Sequence, residues 1–489
     1  ISWDEALTEI ANRLRALREG AGPHHLLLFN GLNAKSTEDM IHRFAGAFVT
    51  PNLISGNGLD EASEKSGNWM ADGHDEICAD DLDRTQYLLL FGADLLESGK
   101  PLSRFLRKWG KLRREKPNRA KVTMIHPRYS VTAARADEWI PISPGTDGAL
   151  AMGIANVILS EDLYDKDFID RWTAGFDSYR QWALAQYRPD AVSKITGIPS
   201  ETIQKIAREF AQTKPSIALR GQSAMNWPQG SYTSYAIFCL NARVGSIDSP
   251  GGILYQEHPG YKDLPPLVED AIARKGRTQP FLDLRGTEKF IHARTFTNQI
   301  PESILRKTPY PVEMAIGFNC NFNMSAPGPQ RWDEALKKIS YYVHLSPFIS
   351  EMALYADLLL PTTTYLEEWG YDDPLPGAGF AEARIKQPVV KPYGEAKSPV
   401  DILFSFAKRM GGSVGKSFEH LGKDSEEWAM LRTSTLIPWK EFLKKGVWIG
   451  SDYRYRKYER IFHTPSKKFE FISGNLRASL AKMGSIKKG

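Results

Sequence analysis

The sequence predicts an α/β protein of doubly wound parallel sheets, and three observations carry that expectation. Short apolar runs of strand length recur, each closed by a Gly, Asn, Pro or Ser turn and followed by a helical pattern. The 489 residues, 42% hydrophobic and 25% charged, suffice for a large core divided over more than one domain. Between about Glu257 and Pro309 the alternation loosens into "HPGYKDLPPLVEDAIARKGRTQPF" and following residues, the pattern of a surface connection between two sheet units.

The elements follow in order. "ISWDEALTEIANRLRAL" puts Leu7, Ile10, Ala11, Leu14 and Leu17 on one helical face, with Ser2 and Glu5 in capping-box spacing, so a helix opens the chain. The strand-like runs are "HLLLFNG", "YLLLFGAD", "KVTMIHPR", "SIALRGQ", "VEMAIGFN", "YYVHLSP" and "ADLLLPT". Beyond Gly411 and Gly412 the periodicity weakens into charged and aromatic segments that end in "TPSKKFEFISGNL". Ligands of open parallel sheets sit at the carboxyl ends of the strands. The turns "FNGLN", "FGADLLESG", "HPR", "RGQS", "GFNCN" and "LSPF" are therefore where function is expected.

Composition excludes several classes. A net charge of +5 is too weak for nucleic acid without a concentrated patch or motif. The densest basic run, Arg107 to Lys121, reads first as a solvated helix face and turn, with an anion or partner surface as the alternative. Cys78, Cys239 and Cys320 are far apart and form no CxxC pair, which excludes a zinc ribbon or a cysteine-ligated cluster held wholly by these residues. The ten histidines show no metal-ligand spacing. No apolar run approaches the roughly twenty residues of a membrane-spanning helix.

The most informative stretch runs from His126 to Gly153, "HPRYSVTAARADEWIPISPGTDGALAMG". A strand ending in His126, Pro127 and Arg128 is followed by a segment ending at Asp137. A Pro-Gly-Thr-Asp turn then opens a helix, placing Thr146 and Asp147 where a helix N-terminus holds polar ligand atoms. Taken singly, PGTD is a helix cap and Arg128 a surface residue; the ordered combination is what points to a ligand.

That combination resembles the molybdopterin oxidoreductase (dimethyl sulfoxide reductase) superfamily, and other segments agree in order. "ISWDEAL" looks like the family's entry into its second domain, and "LYDKDFIDRWTAGFD", "ETIQKIAREFA", "LNARVGSIDSPGG" and "TPSKKFEFIS" look like further landmarks. "FGADLLESG" is similar to the turn that meets one pterin guanine dinucleotide, which implies contacts from Gly92, Asp94, Glu97 and Ser98, with Ala93 and Asp94 departing from the usual types. His126, Arg128, Thr146 and Asp147 are assigned to the same cofactor. "GFNCNFNMSAP" resembles the second such turn, so Asn321 and Ser325 carry over, with Phe322 in place of Pro. "HLSPFISEMALYADLLLP" resembles the guanine-recognising segment and carries over Ser350, Glu351 and Asp357, while Ser346 stands where many relatives have Asp.

The resemblance implies a molybdenum or tungsten ion held between two pterin guanine dinucleotides and one protein side chain. Within "TPNLISGNGLDEASEKSGNW" the residue at that place is Asp60, whose carboxylate is a hard donor suited to a high-valent metal. Ser55, Glu61 and Ser63 are the alternatives, and a turn or helix cap is the plain structural account of Asp60. The implied fold is two doubly wound domains, one discontinuous, with part of a further α+β domain. The bounds are 1–55 and 257–412 for the discontinuous domain, 56–256 for the domain with the metal-ligand loop, and 413–489 for the partial segment.

Relatives carry upstream a cysteine-rich domain with a cubane iron–sulfur cluster and downstream a barrel-like domain. The chain opens on Ile1 inside a helix pattern and is expected to be an internal piece without either. Two-electron atom transfer in anaerobic respiration is implied, with an iron–sulfur electron-transfer subunit and a membrane anchor as partners and a periplasmic or membrane-associated place. Phe91 to Asp177 looks like the thiosulfate, polysulfide and tetrathionate reductase branch. A ligand aspartate instead suggests the nitrate and selenate branch, and formate is a further alternative. A metal-free structural subunit of a respiratory complex is the reading from another class.

Overall fold

The computed structural model describes residues 1–56, 61–114, 119–287, 295–374 and 377–486. Its main sheets are built from β1 (Leu26–Asn30), β2 (Asn52–Ser55), β3 (Tyr87–Phe91), β4 (Lys121–Ile125), β5 (Glu138–Ile140), β6 (Ser216–Arg220), β7 (Met314–Phe318), β8 (Tyr341–Ser346) and β9 (Leu358–Pro361). Among the covering helices are α1 (Trp3–Glu19), α2 (Lys35–Phe48), α3 (Ala62–Ala71), α4 (Asp147–Ser160), α5 (Ser200–Gln212), α6 (Gly230–Arg243) and α7 (Pro399–Met410). The chain forms two compact units. The first holds Ile1–Leu59, His258–Asp373 and Glu382–Gly450; the second holds Asp60–Glu257, Pro374–Ala381 and Ser451–Gly489.

In the first unit the sheet order is β9-β8-β7-β1-β2, all parallel. Every residue of β1 is buried, as a strand covered on both faces requires. Alternate side chains serve opposite layers. Leu26 and Leu28 join Leu7, Ile10 and Leu14 of α1, Phe44 of α2 and Phe406 of α7. Leu27 and Phe29 join Ile300, Phe322, Trp332 and Met352 on the other face. The capping box of α1 forms as its spacing predicts: Glu5 N–H donates to Ser2 Oγ at 3.3 Å and Ser2 N–H to Glu5 Oε2 at 2.8 Å. The loosened stretch packs on this unit, where Arg18, itself buried, holds Asp270 at 2.8 and 3.0 Å.

In the second unit the order is β5-β4-β3-β6, again all parallel. Leu88 and Leu90 face Phe238 and Ala242 of α6, while Leu89 and Phe91 face Leu150 and Ile154 of α4 and Ile206 of α5. Several cations of the basic run are paired, Lys108 with Asp83 and both Arg113 and Arg119 with Asp137. Among the described residues no helix is long and apolar enough to cross a membrane.

The two sheets share one topological property. Chain direction across the sheet reverses between β1 and β7 in the first unit and between β3 and β6 in the second. Such a switch point parts the two turns and opens a crevice at the strand ends. Residues 413–489, expected as part of a further α+β domain, form no unit of their own. Residues to Gly450 join the first unit, where Val447–Ile449 pairs with Glu382–Lys386. Those from Ser451 join the second, where Phe469–Glu470 pairs with Thr173–Ala174 and Phe469 enters the core.

Candidate functional site

At the switch point of the second unit the turns after β3 and β6 touch backbone to backbone. A Cβ on Gly221 would lie 1.9 Å from the Gly92 carbonyl oxygen, and Gly92 itself has φ +58°. Only glycine allows that approach and that conformation. Ser223, one turn on, donates to the Gly92 carbonyl at 3.2 Å and lies 3.1 Å from His126 Nε2. The Arg128 amide donates to His126 Nδ1 at 2.9 Å. That bond makes Nδ1 the acceptor, so the neutral ring carries its proton on Nε2 and donates to Ser223. Burial lowers the His126 pKa against the opposing Asp94 charge and so favours the neutral ring.

Beside this chain of bonds, Arg128 Nη2 meets Asp94 Oδ2 at 3.0 Å and Glu97 Oε2 at 2.6 Å. The guanidinium is 61% exposed and Asp94 only 7%. Burial would raise the Asp94 pKa, but hydrogen bonds involving Glu97, Thr132 and Ser130 and the charge of Arg128 outweigh it and hold the carboxyl below its usual range. Ser98 closes the turn with its amide on the Asp94 carbonyl at 2.9 Å. Thr146 precedes the first turn of α4, its hydroxyl donating to the Ser143 carbonyl at 2.7 Å. Asp147 is buried, and burial pushes its carboxyl up to about 6 against the opposing pull of its own amide.

The first unit repeats the arrangement with different residues. A Cβ on Gly31 would lie 1.8 Å from the Asn319 carbonyl oxygen, so the turns after β1 and β7 are in contact. Asn319, at φ +47°, donates through Nδ2 to Asn33 Oδ1 at 2.8 Å, and Asn33 Nδ2 donates to Asn30 Oδ1 at 2.7 Å. Asn321 spans two segments: Nδ2 donates to Glu351 Oε2 at 2.6 Å and Oδ1 accepts from the Met352 amide at 3.3 Å. The Asn321 bond holds the exposed Glu351 carboxyl below its usual pKa. The Ser325 amide closes on the Asn321 carbonyl at 3.0 Å. Phe322, the departure from Pro, is core: its ring stacks on Trp332 at 5.4 Å and its amide donates to Met352 Sδ at 3.0 Å.

One expected contact stands elsewhere. Asp357 exchanges hydrogen bonds with Tyr342, near the start of β8, its Oδ2 accepting the Tyr342 amide at 2.7 Å. Asp357 immediately precedes β9 and so lies at the amino end of the sheet, opposite Asn321 and Glu351. The cause is topological: the chain leaves β8 at its carboxyl end and must return before β9 begins. Asp60, the expected metal ligand, lies outside the described residues.

A family model described as molybdopterin oxidoreductase matches residues 1–409. The chain belongs to the molybdopterin oxidoreductase family. The arsenate respiratory reductase molybdopterin-containing subunit ArrA of Shewanella sp. (strain ANA-3) is 30% identical over 551 residues, covering 98% of this chain and 63% of that protein. The thiosulfate reductase molybdopterin-containing subunit PhsA of Salmonella typhimurium is 29% identical over 422 residues, covering 84% and 54%. This family member thus spans under two thirds of these relatives. The solved structure of acetylene hydratase from Pelobacter acetylenicus shares the fold, with a TM-score of 0.78 at 24% identity over 99% of this chain and 68% of that one.

The residues present suit the family's cofactor class. A phosphate-bearing pterin needs donors for its phosphate and polar partners for its rings. The exposed Arg128 guanidinium supplies the first in one crevice. In the other, the buried Ser350 Oγ has no hydrogen-bond partner among the described residues, an orphan that a ligand atom would satisfy. A cavity in the first unit is lined by Glu367, Glu368, Asp401, Asp424 and Glu426 against two cations, Lys391 and Lys397. Its five carboxylates outnumber the two lysines and disfavour a phosphate, so the switch-point crevice is the better candidate. Sequence reasoning missed Ser130 and Thr132, which steady Asp94, and Ser223, although Ser223 lies in the flagged "RGQS" turn.

Proposed function

We propose that this chain is the central part of the catalytic subunit of a molybdenum or tungsten bis(pterin guanine dinucleotide) oxidoreductase that transfers an atom to or from an inorganic oxyanion or sulfur compound. The observation that carries the proposal is the pair of switch-point crevices, one in each unit, each lined by the residues that the family motifs mark. When bound, the metal–pterin group supplies the two-electron chemistry. In the second unit Gly92, Asp94, Glu97, Ser98, Arg128, Thr146 and Asp147 bind one dinucleotide. His126 stays neutral and orients Ser223. In the first unit Asn321, Ser325, Ser350 and Glu351 bind the other. Asp357 acts on the sheet and not on the cofactor. Asp60 is the protein's metal ligand.

Arsenate and thiosulfate reductases among the relatives support an oxyanion or sulfur substrate taken from small-molecule pools. An iron–sulfur cluster on a preceding segment, an electron-transfer subunit and a membrane anchor complete the proposed electron path. The deciding experiment is metal analysis and pterin release on the full-length protein, followed by turnover with arsenate, thiosulfate, tetrathionate, polysulfide, nitrate and selenate. Stoichiometric metal with two pterins and turnover of one of these is expected. Asp60→Ala should abolish turnover and leave the fold and most pterin in place; unchanged turnover removes Asp60 from the mechanism. A folded protein without metal or pterin would establish the structural-subunit reading instead.

A further inference from the structure

The segment that follows β6 does more than close its own turn. It begins at the switch point, where the Gly221 amide donates to the Phe91 carbonyl at 2.8 Å and Ser223 reaches Gly92 and His126. It ends on the connection that leads from β5 into α4. There the Trp227 indole lies against Gly145, so that a Cβ on Gly145 would meet Cδ2 at 3.0 Å. Gln229 Nε2 donates to the Gly145 carbonyl at 2.7 Å. The indole N–H returns to the Ser223 carbonyl at 3.0 Å, bracing the segment against itself. Residues 221–229 therefore touch the turns after β3 and β4 and the connection from β5 into α4, bridging the switch point and the Thr146–Asp147 turn.

The same segment is also tied to α3. Ser63 in its first turn donates to the Met225 carbonyl at 3.2 Å. Trp227 is 41% exposed, an unusual place for an indole with a satisfied N–H. None of the expected cofactor residues accounts for Trp227, Gln229 or the close approach at Gly145.

We propose that residues 221–229 are a latch across the crevice of the second unit, and that Trp227 and Gln229 are positioning residues that hold it shut over a bound pterin dinucleotide. The inference rests on the cofactor reading given above. Closure keeps Ser223 on His126 and Gly92 at one end and seals the Thr146–Asp147 turn at the other. A ligand held between the switch-point turns and the Thr146–Asp147 turn is retained until the Gly145 contacts part. Trp227→Ala removes the ring and its N–H, Gln229→Ala removes one hydrogen bond, and Trp227→Phe keeps a ring on Gly145.

The test uses the full-length protein and two readouts. Pterin release after dilution, followed by fluorescence, should be roughly fivefold faster in Trp227→Ala and in Gln229→Ala, the effect of losing about one neutral hydrogen bond. Trp227→Phe should recover most of the retention. Hydrogen exchange of the 221–229 amides, measured on cofactor-free protein, should rise in both alanine variants while exchange in β3 and β4 stays unchanged. Wild-type release rates in both alanine variants would overturn the latch. So would unchanged exchange, whether or not pterin is present. A wild-type protein that holds no pterin but shows faster exchange in the variants removes the cofactor reading and leaves the closing contact standing.

Discussion

Replacing Asp147 with Asn should stabilise the cofactor-free second unit by about 3 kcal/mol at about pH 8. Asp147 is 3% exposed at the start of α4, and burial lifts its carboxyl from 3.8 to about 6. A pKa raised in the folded state means that the folded protein holds the proton more tightly than the unfolded chain. The stability this contributes is full below 3.8 and is lost as pH rises through about 6. Above that window the buried carboxylate is a net cost, which the amide does not carry. The assay is urea denaturation from about pH 4 to about pH 8 on protein stripped of cofactor, followed by exchange of the α4 amides so that the two units are read separately. The two proteins should converge at the acid end and part through the window. A polar ligand edge at Asp147 reverses the balance, because a donor beside the carboxyl favours its charged form. The same variant should therefore lose pterin while gaining stability. Parallel pH curves, or a variant that is less stable at the alkaline end, would refute the reasoning.

Three further outcomes follow from the geometry. Arg128→Ala should lower the pterin content of the full-length protein because it removes the exposed cation of the second crevice; full retention in a fluorescence assay would take Arg128 out of the site. Glu64→Ala should destabilise the second unit by about 3 kcal/mol, since it removes the carboxylate that meets the Arg220 side chain at 3.3 Å and leaves that cation with Ser234 and the Phe238 ring. Glu64→Gln should cost less, and equal denaturation midpoints for both would contradict a working ion pair. Gly221→Ala should cost about 3 kcal/mol or more, because its Cβ would meet backbone at 1.9 Å and backbone cannot rotate aside. Wild-type denaturation and wild-type exchange in residues 221–229 would contradict that contact.

The seven apolar runs noted in the sequence are strands, and their turns form both crevices. β2 and β5 escaped notice for a physical reason. Each lies at a sheet edge, is four or three residues long and is only partly buried, so neither needs a continuous apolar run. The site was legible where residues share a turn, as Asp94, Glu97 and Ser98 do. It was not legible where the partner arrives from another element: Ser223 and His126 are 97 positions apart. Asp357 shows the opposite failure. It sits close in sequence to Glu351, yet one return of the chain puts it at the other end of the strands.

The interleaving of the two sheets also sets an order of events on the ribosome. The main sheet of the second unit is complete once residue 220 has been made, whereas β1 finds its partner β7 only after Met314 emerges. Until then β1 and β2 are a two-stranded fragment with one flank of β1 unpaired, and such an edge invites pairing with other chains. The α1 and α2 helices can shield one face of that fragment but not its edge. Growth at about 5 to 20 residues per second keeps this edge waiting for tens of seconds. During synthesis the first unit is therefore the one more open to mispairing, and a stall between residues 220 and 314 should leave a complete second sheet attached to an aggregation-prone start.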